Sequence, residues 1–163
     1  MQAGVDRVAE QVPGLPADDI KLSRMLHIVS AGMEAAEEAW LKAHQLGLSE
    51  FRTLIMLYSS PGQQAHPSDL CQWATLKPTN MTRIVDALLQ RGLVTRRPSD
   101  KDRRCIILEV TPDGARLIRK LLPMLHPNVT AMLQGFSRAE HRQMGILLQK
   151  LIDNIDAMDN APQ

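Results

Sequence analysis

A block of cationic side chains lies between residues 77 and 104. It holds eight lysines and arginines against three aspartates, a net charge of +5, whereas residues 1–50 hold four basic and eight acidic side chains. Because lysine and arginine bind phosphate oxygens, a compact basic block in a chain of formal net charge +1 is a candidate phosphate-binding surface. Charge alone leaves open the alternative of a solvated face that binds nothing.

The block begins with the segment Lys77-Pro78-Thr79-Asn80-Met81-Thr82-Arg83, whose side chains are small, polar and basic. Threonine, asparagine and arginine hydrogen-bond the edges of bases, and lysine binds phosphates. The apolar residues Ile84, Val85 and Leu88 follow at helical spacing. This pattern predicts a helix with a polar start that suits contacts with bases and phosphates.

The positions of these residues depend on the elements around them. Apolar spacing, caps and breakers predict helices at about 17–45, 50–60, 67–74, 78–91 and 112–134, and a last helix after Ser137. Residues 93–97 and 105–110 have the composition of two strands, joined by a polar hairpin loop at 98–103. Ser49 is the expected N-cap of the second helix, and Pro123 and Pro127 predict a kink in the fifth.

A short helix, a tight turn and a second helix, followed at once by a charged hairpin, form the layout of a winged helix. The second helix of such a pair fits the major groove, and the hairpin brings cations to the flanking backbone or minor groove. We therefore predict a mainly α protein, a winged helix-turn-helix with a two-stranded wing and long terminal helices. For Arg96 and Arg97, the alternative to a contact with DNA is a solvated strand face that contributes only long-range attraction.

Residues 93–117, LVTRRPSDKDRRCIILEVTPDGARL, resemble the wing signature of the MarR family of bacterial transcription regulators. Asp102-Arg103-Arg104 corresponds to the Asp-x-Arg of the family's wing tip. Val110-Thr111-Pro112-Asp113-Gly114 corresponds to its Leu-Thr-x-x-Gly, with valine in place of leucine. Residues 81–94 are similar to the family's recognition helix and its exit, and the likeness extends from about residue 46 to residue 155.

This resemblance implies a homodimer that binds double-stranded DNA at a pseudo-palindromic operator. It assigns residues 17–46 and 112–158 to a helical dimerisation region and 47–111 to the DNA-binding domain. Residues 1–16 remain as a loose, flexible arm and 159–163 as a tail. Apolar stripes on the terminal helices agree with a dimer, although an internal core face is the alternative. The DNA-binding residues implied are Lys77, Pro78, Thr79, Asn80, Thr82, Arg83, Arg103 and Arg104, with Arg104 as the minor-groove residue.

Members of the family are usually repressors that a small ligand releases from DNA, often an aromatic carboxylate or a phenol. Such a ligand needs apolar walls and one or two cationic or hydrogen-bonding groups. Core packing is the alternative role of each candidate. The candidate ligand-binding residues are Arg24, His27, Trp40, His44, Tyr58 and Trp73.

Other classes of protein find less support. The sequence has no glycine-rich phosphate loop, no HExxH motif and no metal-ligand spacing among its histidines and cysteines, so we expect no enzyme, no cofactor and no metal. Cys71 and Cys105 are expected to be buried structural thiols, which disfavours a redox sensor. No apolar run could span a membrane and no secretory signal is present, so a cytoplasmic protein with no membrane partner is expected. A winged helix used for protein contacts is the remaining alternative, and metal- or redox-responsive regulation stays open.

Overall fold

The computed structural model describes residues 2–99 and 105–159. These residues are mainly helical and divide into two compact units, residues 1–118 and 119–163. A 3-10 turn, Pro61–Gln63, precedes the first strand. The helices are α1 (Gln2–Gln11), α2 (Ala17–Lys42), α3 (Leu48–Ser59), α4 (Pro67–Trp73), α5 (Pro78–Gln90), α6 (Pro112–Met132) and α7 (Arg138–Asp159). The strands are β1 (Gln64–Ala65), β2 (Val94–Pro98) and β3 (Ile106–Val110).

The core of the first unit lies where α3, α4 and α5 pack together beneath the sheet. Each helix contributes aliphatic side chains at a spacing of three or four residues, which places them on one face. The inner positions of the strands close the core from the other side. Its most buried side chains are Leu54, Leu57, Leu70, Met81, Leu88 and Leu108.

The sheet has three antiparallel strands in the order β1-β3-β2. Strands β2 and β3 form the predicted hairpin, with Val94 opposite Val110 and Pro98 opposite Ile106. Strand β1 pairs Gln64 with Glu109 and was not predicted from the sequence. Two residues are too few to show an alternating pattern, so only the pairing with β3 reveals this strand.

The exit from α5 is tied closely to the start of α6. Gly92 follows α5 with φ 65°, the left-handed conformation that favours glycine after a helix. The N–H of Thr111 donates to the Leu93 carbonyl at 3.1 Å. The Thr111 hydroxyl donates to the Gly92 carbonyl at 2.7 Å and accepts from the N–H of Gly114 at 3.1 Å. These bonds hold the base of the hairpin against the first turn of α6.

Two details of the first unit differ from the sequence prediction. Residues 2–11 form helix α1 rather than a loose arm, because Val5 is buried and Asp6 pairs with Lys21 of α2. The N-cap of α3 is Gly47 rather than Ser49, and Glu50 Oε2 accepts a hydrogen bond from the N–H of Gly47 at 3.3 Å. That bond moves the start of the helix to Leu48.

In the second unit, α6 continues through Pro123 and Pro127 as one helix, and α7 starts with the predicted capping box. The Ser137 hydroxyl accepts from the N–H of Glu140, and Glu140 Oε2 accepts from the N–H of Ser137 at 2.7 Å. Among the described helices, none is both long enough and apolar enough to cross a membrane.

Candidate nucleic-acid interface

Helices α4 and α5 form a helix-turn-helix whose second helix presents a polar outer face. Thr75 has φ 51° in the tight turn, and Lys77 is extended before Pro78 opens α5. The side chains that face α3 and α4 are apolar and buried, so the polar residues between them are left on the outside. All six predicted residues of this segment are exposed: Lys77, Pro78, Thr79, Asn80, Thr82 and Arg83.

The polar groups on this face differ in what they can still bind. The Thr82 hydroxyl donates to the Pro78 carbonyl at 3.0 Å, so its proton is occupied while its methyl group and lone pairs stay exposed. Within the described part of the chain, the side chains of Asn80 and Arg83 have no hydrogen-bonding partner. The amide and the guanidinium are the groups that pair with adenine and guanine edges in the major groove.

Much of the basic block is neutralised inside the protein. Arg91 pairs with Glu50 at 3.5 Å and Arg96 with Asp86 at 2.7 Å. Arg97 Nε lies 3.2 Å from Glu109, so both arginines of β2 have an acidic partner within the protein. Of the described lysines and arginines between residues 77 and 97, only Lys77 and Arg83 have no acidic partner. Among these described residues, the positive charge without an internal counter-ion therefore lies at the start of α5.

The predicted wing-tip residues Arg103 and Arg104 lie outside the described residues. The strands on both sides of the loop are described. Ser99, just before the loop, donates its N–H to the carbonyl of Cys105, just after it, at 2.8 Å. The loop sequence between these two residues is Asp-Lys-Asp-Arg-Arg, with three cations and two acids. The hairpin itself is the wing that the sequence predicts.

The six predicted ligand-binding residues are dispersed. Arg24 and His27 lie together on an exposed face of α2. Trp40 and His44 lie at the end of α2 with their rings tilted by 58° and the ring centroids 4.8 Å apart, and the Trp40 ring meets Phe51 edge to face. The remaining two are Tyr58, half-buried in α3, and Trp73, exposed beside β1 and the loop end of the hairpin.

A cleft of about 560 Å³ lies between α2, the start of α3 and α5. None of the six predicted ligand-binding residues lines it. Its walls include apolar groups from Leu48, Leu76, Ile84 and Ala87. Its polar groups are the carboxylates of Glu34, Glu38 and Glu50 together with Asn80 and Arg83. Periodicity in the sequence identifies the faces of individual helices. It does not show which faces lie across a cleft from each other, so the sequence analysis missed these lining residues.

Two of the three carboxylates in the cleft are already engaged. Glu34 and its neighbour Glu37 bind the two terminal nitrogens of Arg52 at 2.9 and 3.0 Å. Partial burial tends to lower the pKa of Arg52, but the hydrogen bonds to Glu34 and Glu37 outweigh it and raise that pKa. Glu50 caps Gly47 and pairs with Arg91. Glu38 and Arg83 are the charges in the cleft without an internal counter-ion among the described residues.

The cysteines and other polar groups give no sign of a metal or redox centre in the part of the chain described. No group of three histidine, cysteine, aspartate or glutamate side chains converges there. Cys71 is half-buried and Cys105 is exposed, so the expectation of a buried thiol at position 105 is wrong. Cys105 is exposed because it lies next to the hairpin loop, away from the core.

The fold and this surface define a winged helix-turn-helix DNA-binding protein, and comparisons with known proteins agree. The MarR family model matches residues 46–106. The transcriptional repressor MprA of Escherichia coli (strain K12) is 34% identical over 145 residues, covering 88% of this chain and 82% of that protein. The chain belongs to the MarR family of transcriptional regulators, which agrees with the prediction that it is not an enzyme.

Two solved structures have the same fold. A mutant MarR from Escherichia coli complexed with operator DNA has a TM-score of 0.75 and 20% identity, covering 84% of this chain and 97% of that one. A structure of Bordetella bronchiseptica BpsR, described for regulation of its DNA binding by 6-hydroxynicotinic acid, has a TM-score of 0.70. BpsR is 19% identical, and the match covers 86% of this chain and 94% of that one.

Proposed function

We propose that this protein is a homodimeric cytoplasmic repressor that binds a pseudo-palindromic operator through α5 and the wing. The observation that carries the proposal is the outer face of α5, where Asn80 and Arg83 are exposed without internal partners. Lys77 at the helix start supplies a phosphate contact, and Arg103 and Arg104 supply the wing contacts. MprA is named a repressor, and the MarR structure holds operator DNA, which supports this assignment.

The dimer is supported by apolar side chains that each unit leaves exposed. In α2, Met25 and Ile28 are 45% and 46% exposed, and in α7, Leu147 and Ile155 are 58% and 50% exposed. Large apolar side chains that recur along an exposed helix face are costly in water unless a partner covers them. A two-fold dimer places two recognition helices about 34 Å apart, one turn of DNA, so each half-site has a symmetry mate.

We further propose that a small aromatic carboxylate or phenol releases the repressor by binding in the cleft between α2 and α5. The apolar walls suit a flat ring, and Arg83 supplies the cation that a carboxylate requires. Since Arg83 is also a proposed DNA contact, effector and operator would compete for the same side chain. The regulation of BpsR by 6-hydroxynicotinic acid supports this class of effector.

The test is a gel-shift titration with DNA from upstream of the protein's own gene, at two salt concentrations and with a panel of aromatic acids. We expect site-specific binding that weakens steeply with salt, because phosphate contacts release counterions. Arg83→Ala is expected to lower affinity by about 1–3 kcal/mol and to relax base preference, and Arg104→Ala to weaken binding without unfolding the dimer.

The matched control is Arg116→Ala, which removes an exposed arginine already paired with Asp113 on α6. Equal losses of operator affinity in Arg116→Ala and Arg83→Ala would mean that the affinity depends only on net charge. Absence of binding by the wild type at low salt would contradict DNA recognition and favour a winged helix that contacts proteins. Operator binding that none of the acids weakens would agree with a DNA-binding regulator but would contradict the proposed class of effector.

A further inference from the structure

We propose that Asp86 and Arg96 act as a positioning pair that fixes the wing relative to the recognition helix. Asp86 lies on α5 and Arg96 on β2, and their charged atoms are 2.7 Å apart. The proposal rests on DNA recognition by α5 as proposed above. It assigns Arg96 a role inside the protein and not on the DNA.

Asp86 lies on the surface of α5 that is offered to DNA. It follows Thr79 by seven residues, two helical turns, and therefore shares its outward face. A carboxylate there would be repelled by phosphates if it were alone. Its side chain is 50% exposed and hydrogen-bonded to Arg96 Nη2, so the two charges offset each other at the surface. The ion pair with Arg96 therefore explains why an acidic residue, Asp86, is found on this surface.

The neighbouring residue, Arg97, makes its contacts on the opposite face of β2. Successive side chains of a strand alternate between faces, so Arg96 and Arg97 point in opposite directions. Arg97 donates to Glu109 of β3 at 3.2 Å and to Gln64 of β1 at 2.7 Å. Strand β2 is consequently bound to the recognition helix through one face and to the rest of the sheet through the other.

The direction of β2 decides where the wing tip lies. Arg96 is opposite Leu108 and Pro98 is opposite Ile106, so the ladder is continuous from the core to the hairpin loop. Leu108 is fully buried and lies opposite Arg96, midway along the ladder. At its base, β2 is joined to α5 by the bond from the Leu93 N–H to the Leu88 carbonyl at 3.0 Å and by the buried Val94. The Asp86–Arg96 pair adds a contact nearer the hairpin loop, and in this proposal that contact sets the reach of the wing toward DNA.

The two roles open to Arg96 predict opposite effects for Asp86→Ala. If Asp86 positions the wing through Arg96, its removal weakens operator binding. If Arg96 contacts phosphate directly, removal of a nearby acid strengthens binding, because repulsion disappears and Arg96 is released. The sign of one mutant therefore separates a positioning residue from a contact residue.

The experiment measures operator affinity by fluorescence anisotropy at two salt concentrations for the wild type, Asp86→Ala, Arg96→Ala and the double mutant. We expect each single mutant to bind about fivefold more weakly, as for a partly exposed ion pair, and the double mutant to bind no more weakly than either. Asp86→Glu, which keeps the charge, is expected to retain most of the affinity that Asp86→Ala loses. Asp113→Ala and Arg116→Ala each break an ion pair of the same length on α6, and we expect both to leave operator affinity unchanged.

Hydrogen exchange of the free protein supplies a readout that does not depend on DNA. Asp86→Ala is expected to speed exchange of β2 and β3 amides while leaving α3 unchanged. Tighter operator binding by Asp86→Ala, or a smaller salt dependence in Arg96→Ala alone, would overturn the proposal. Wild type that binds no operator would contradict the proposed function, and unchanged exchange in Asp86→Ala would then overturn the positioning role as well.

Discussion

Arg83 belongs to two surfaces at once. Its guanidinium is exposed on the outer side of α5, and it also lines the cleft between α5 and α2. Across the same cleft lies Glu38, which has no internal partner among the described residues. An anion that binds Arg83 must approach this carboxylate. The balance between these two charges therefore sets which effectors the cleft accepts.

This balance gives a prediction for Glu38→Gln. Removing the carboxylate is expected to tighten binding of an aromatic acid about fivefold, because a partly exposed charge interaction is worth roughly 1 kcal/mol. Isothermal titration without DNA measures the effect, and Glu10→Gln on α1 is the control for net charge. Weaker binding of the acid would contradict the anionic class and indicate a cationic effector instead.

At the scale of elements, the junction between the wing and α6 depends on a glycine. A Cβ built on Gly114 would lie 2.1 Å from the Leu93 carbonyl oxygen and 3.1 Å from a Val110 methyl group. The former is a backbone atom that cannot turn aside. The close approach of α6 to the base of the hairpin therefore requires glycine at this position.

We predict that Gly114→Ala destabilises the protein by about 1–3 kcal/mol, as for other overpacked sites. The contrasting substitution is Gly4→Ala in α1, outside the proposed dimer helices, where nothing lies within 4 Å, and about 0.5–1 kcal/mol of stabilisation is expected. Urea unfolding at one protein concentration measures both. Equal effects of the two substitutions would show that the contact with Leu93 does not matter.

The start of α7 gives a pH-dependent prediction. Hydrogen bonds from the hydroxyl and the N–H of Ser137 lower the pKa of Glu140 below its ordinary value of 4.5. Since the folded-state pKa is the lower one, the stabilisation is complete above the unfolded pKa and is lost as pH falls through the folded value. Compared with Glu140→Gln, the wild type should be more stable at neutral pH, and the difference should vanish in acid.

Urea titrations of wild type and Glu140→Gln between neutral pH and roughly pH 3 would follow this loss. The matched control is Glu10→Gln, for which no such cap exists. A stability difference between wild type and Glu140→Gln that stays constant with pH would contradict the assignment of the cap to the ionised carboxylate.

At the scale of the whole molecule, the exposed apolar residues of α7 form a stripe. Leu147, Leu151 and Ile155 recur every four residues and lie on one side of the helix. We predict that Leu151→Glu, combined with Ile155→Glu, shifts the dimer to monomer and removes high-affinity operator binding. Sedimentation velocity measures the assembly, and anisotropy measures the DNA affinity.

Gln149→Glu is the control for this variant because it adds a negative charge on the opposite side of the same helix. It is expected to leave both the assembly and the operator affinity unchanged. A Leu151→Glu, Ile155→Glu double variant that remains dimeric would exclude this stripe from the interface. Monomers that still bind the full operator tightly would contradict recognition by a symmetric dimer.

The order of helices α2 to α7 and of strands β2 and β3, and the outward face of α5, could be predicted from local sequence patterns. Caps such as Ser137 with Glu140, the proline at position 78 and the glycine at position 92 act within a few residues, so their effects can be read locally. Apolar spacing likewise predicts that Met81, Ile84, Val85 and Leu88 are buried, which leaves Thr79, Asn80 and Arg83 outside. The winged-helix class follows from these local signals.

Which charges lack an internal counter-ion, and where a ligand could bind, depend on contacts between elements that are distant in sequence. The pairs Arg96 with Asp86, Arg97 with Glu109 and Arg52 with Glu34 join residues of different elements, and so does the pairing of β1 with β3. Helix α1 replaced the expected arm because Val5 and Asp6 find partners on α2. Such contacts depend on distances between segments remote in sequence, which no local pattern contains.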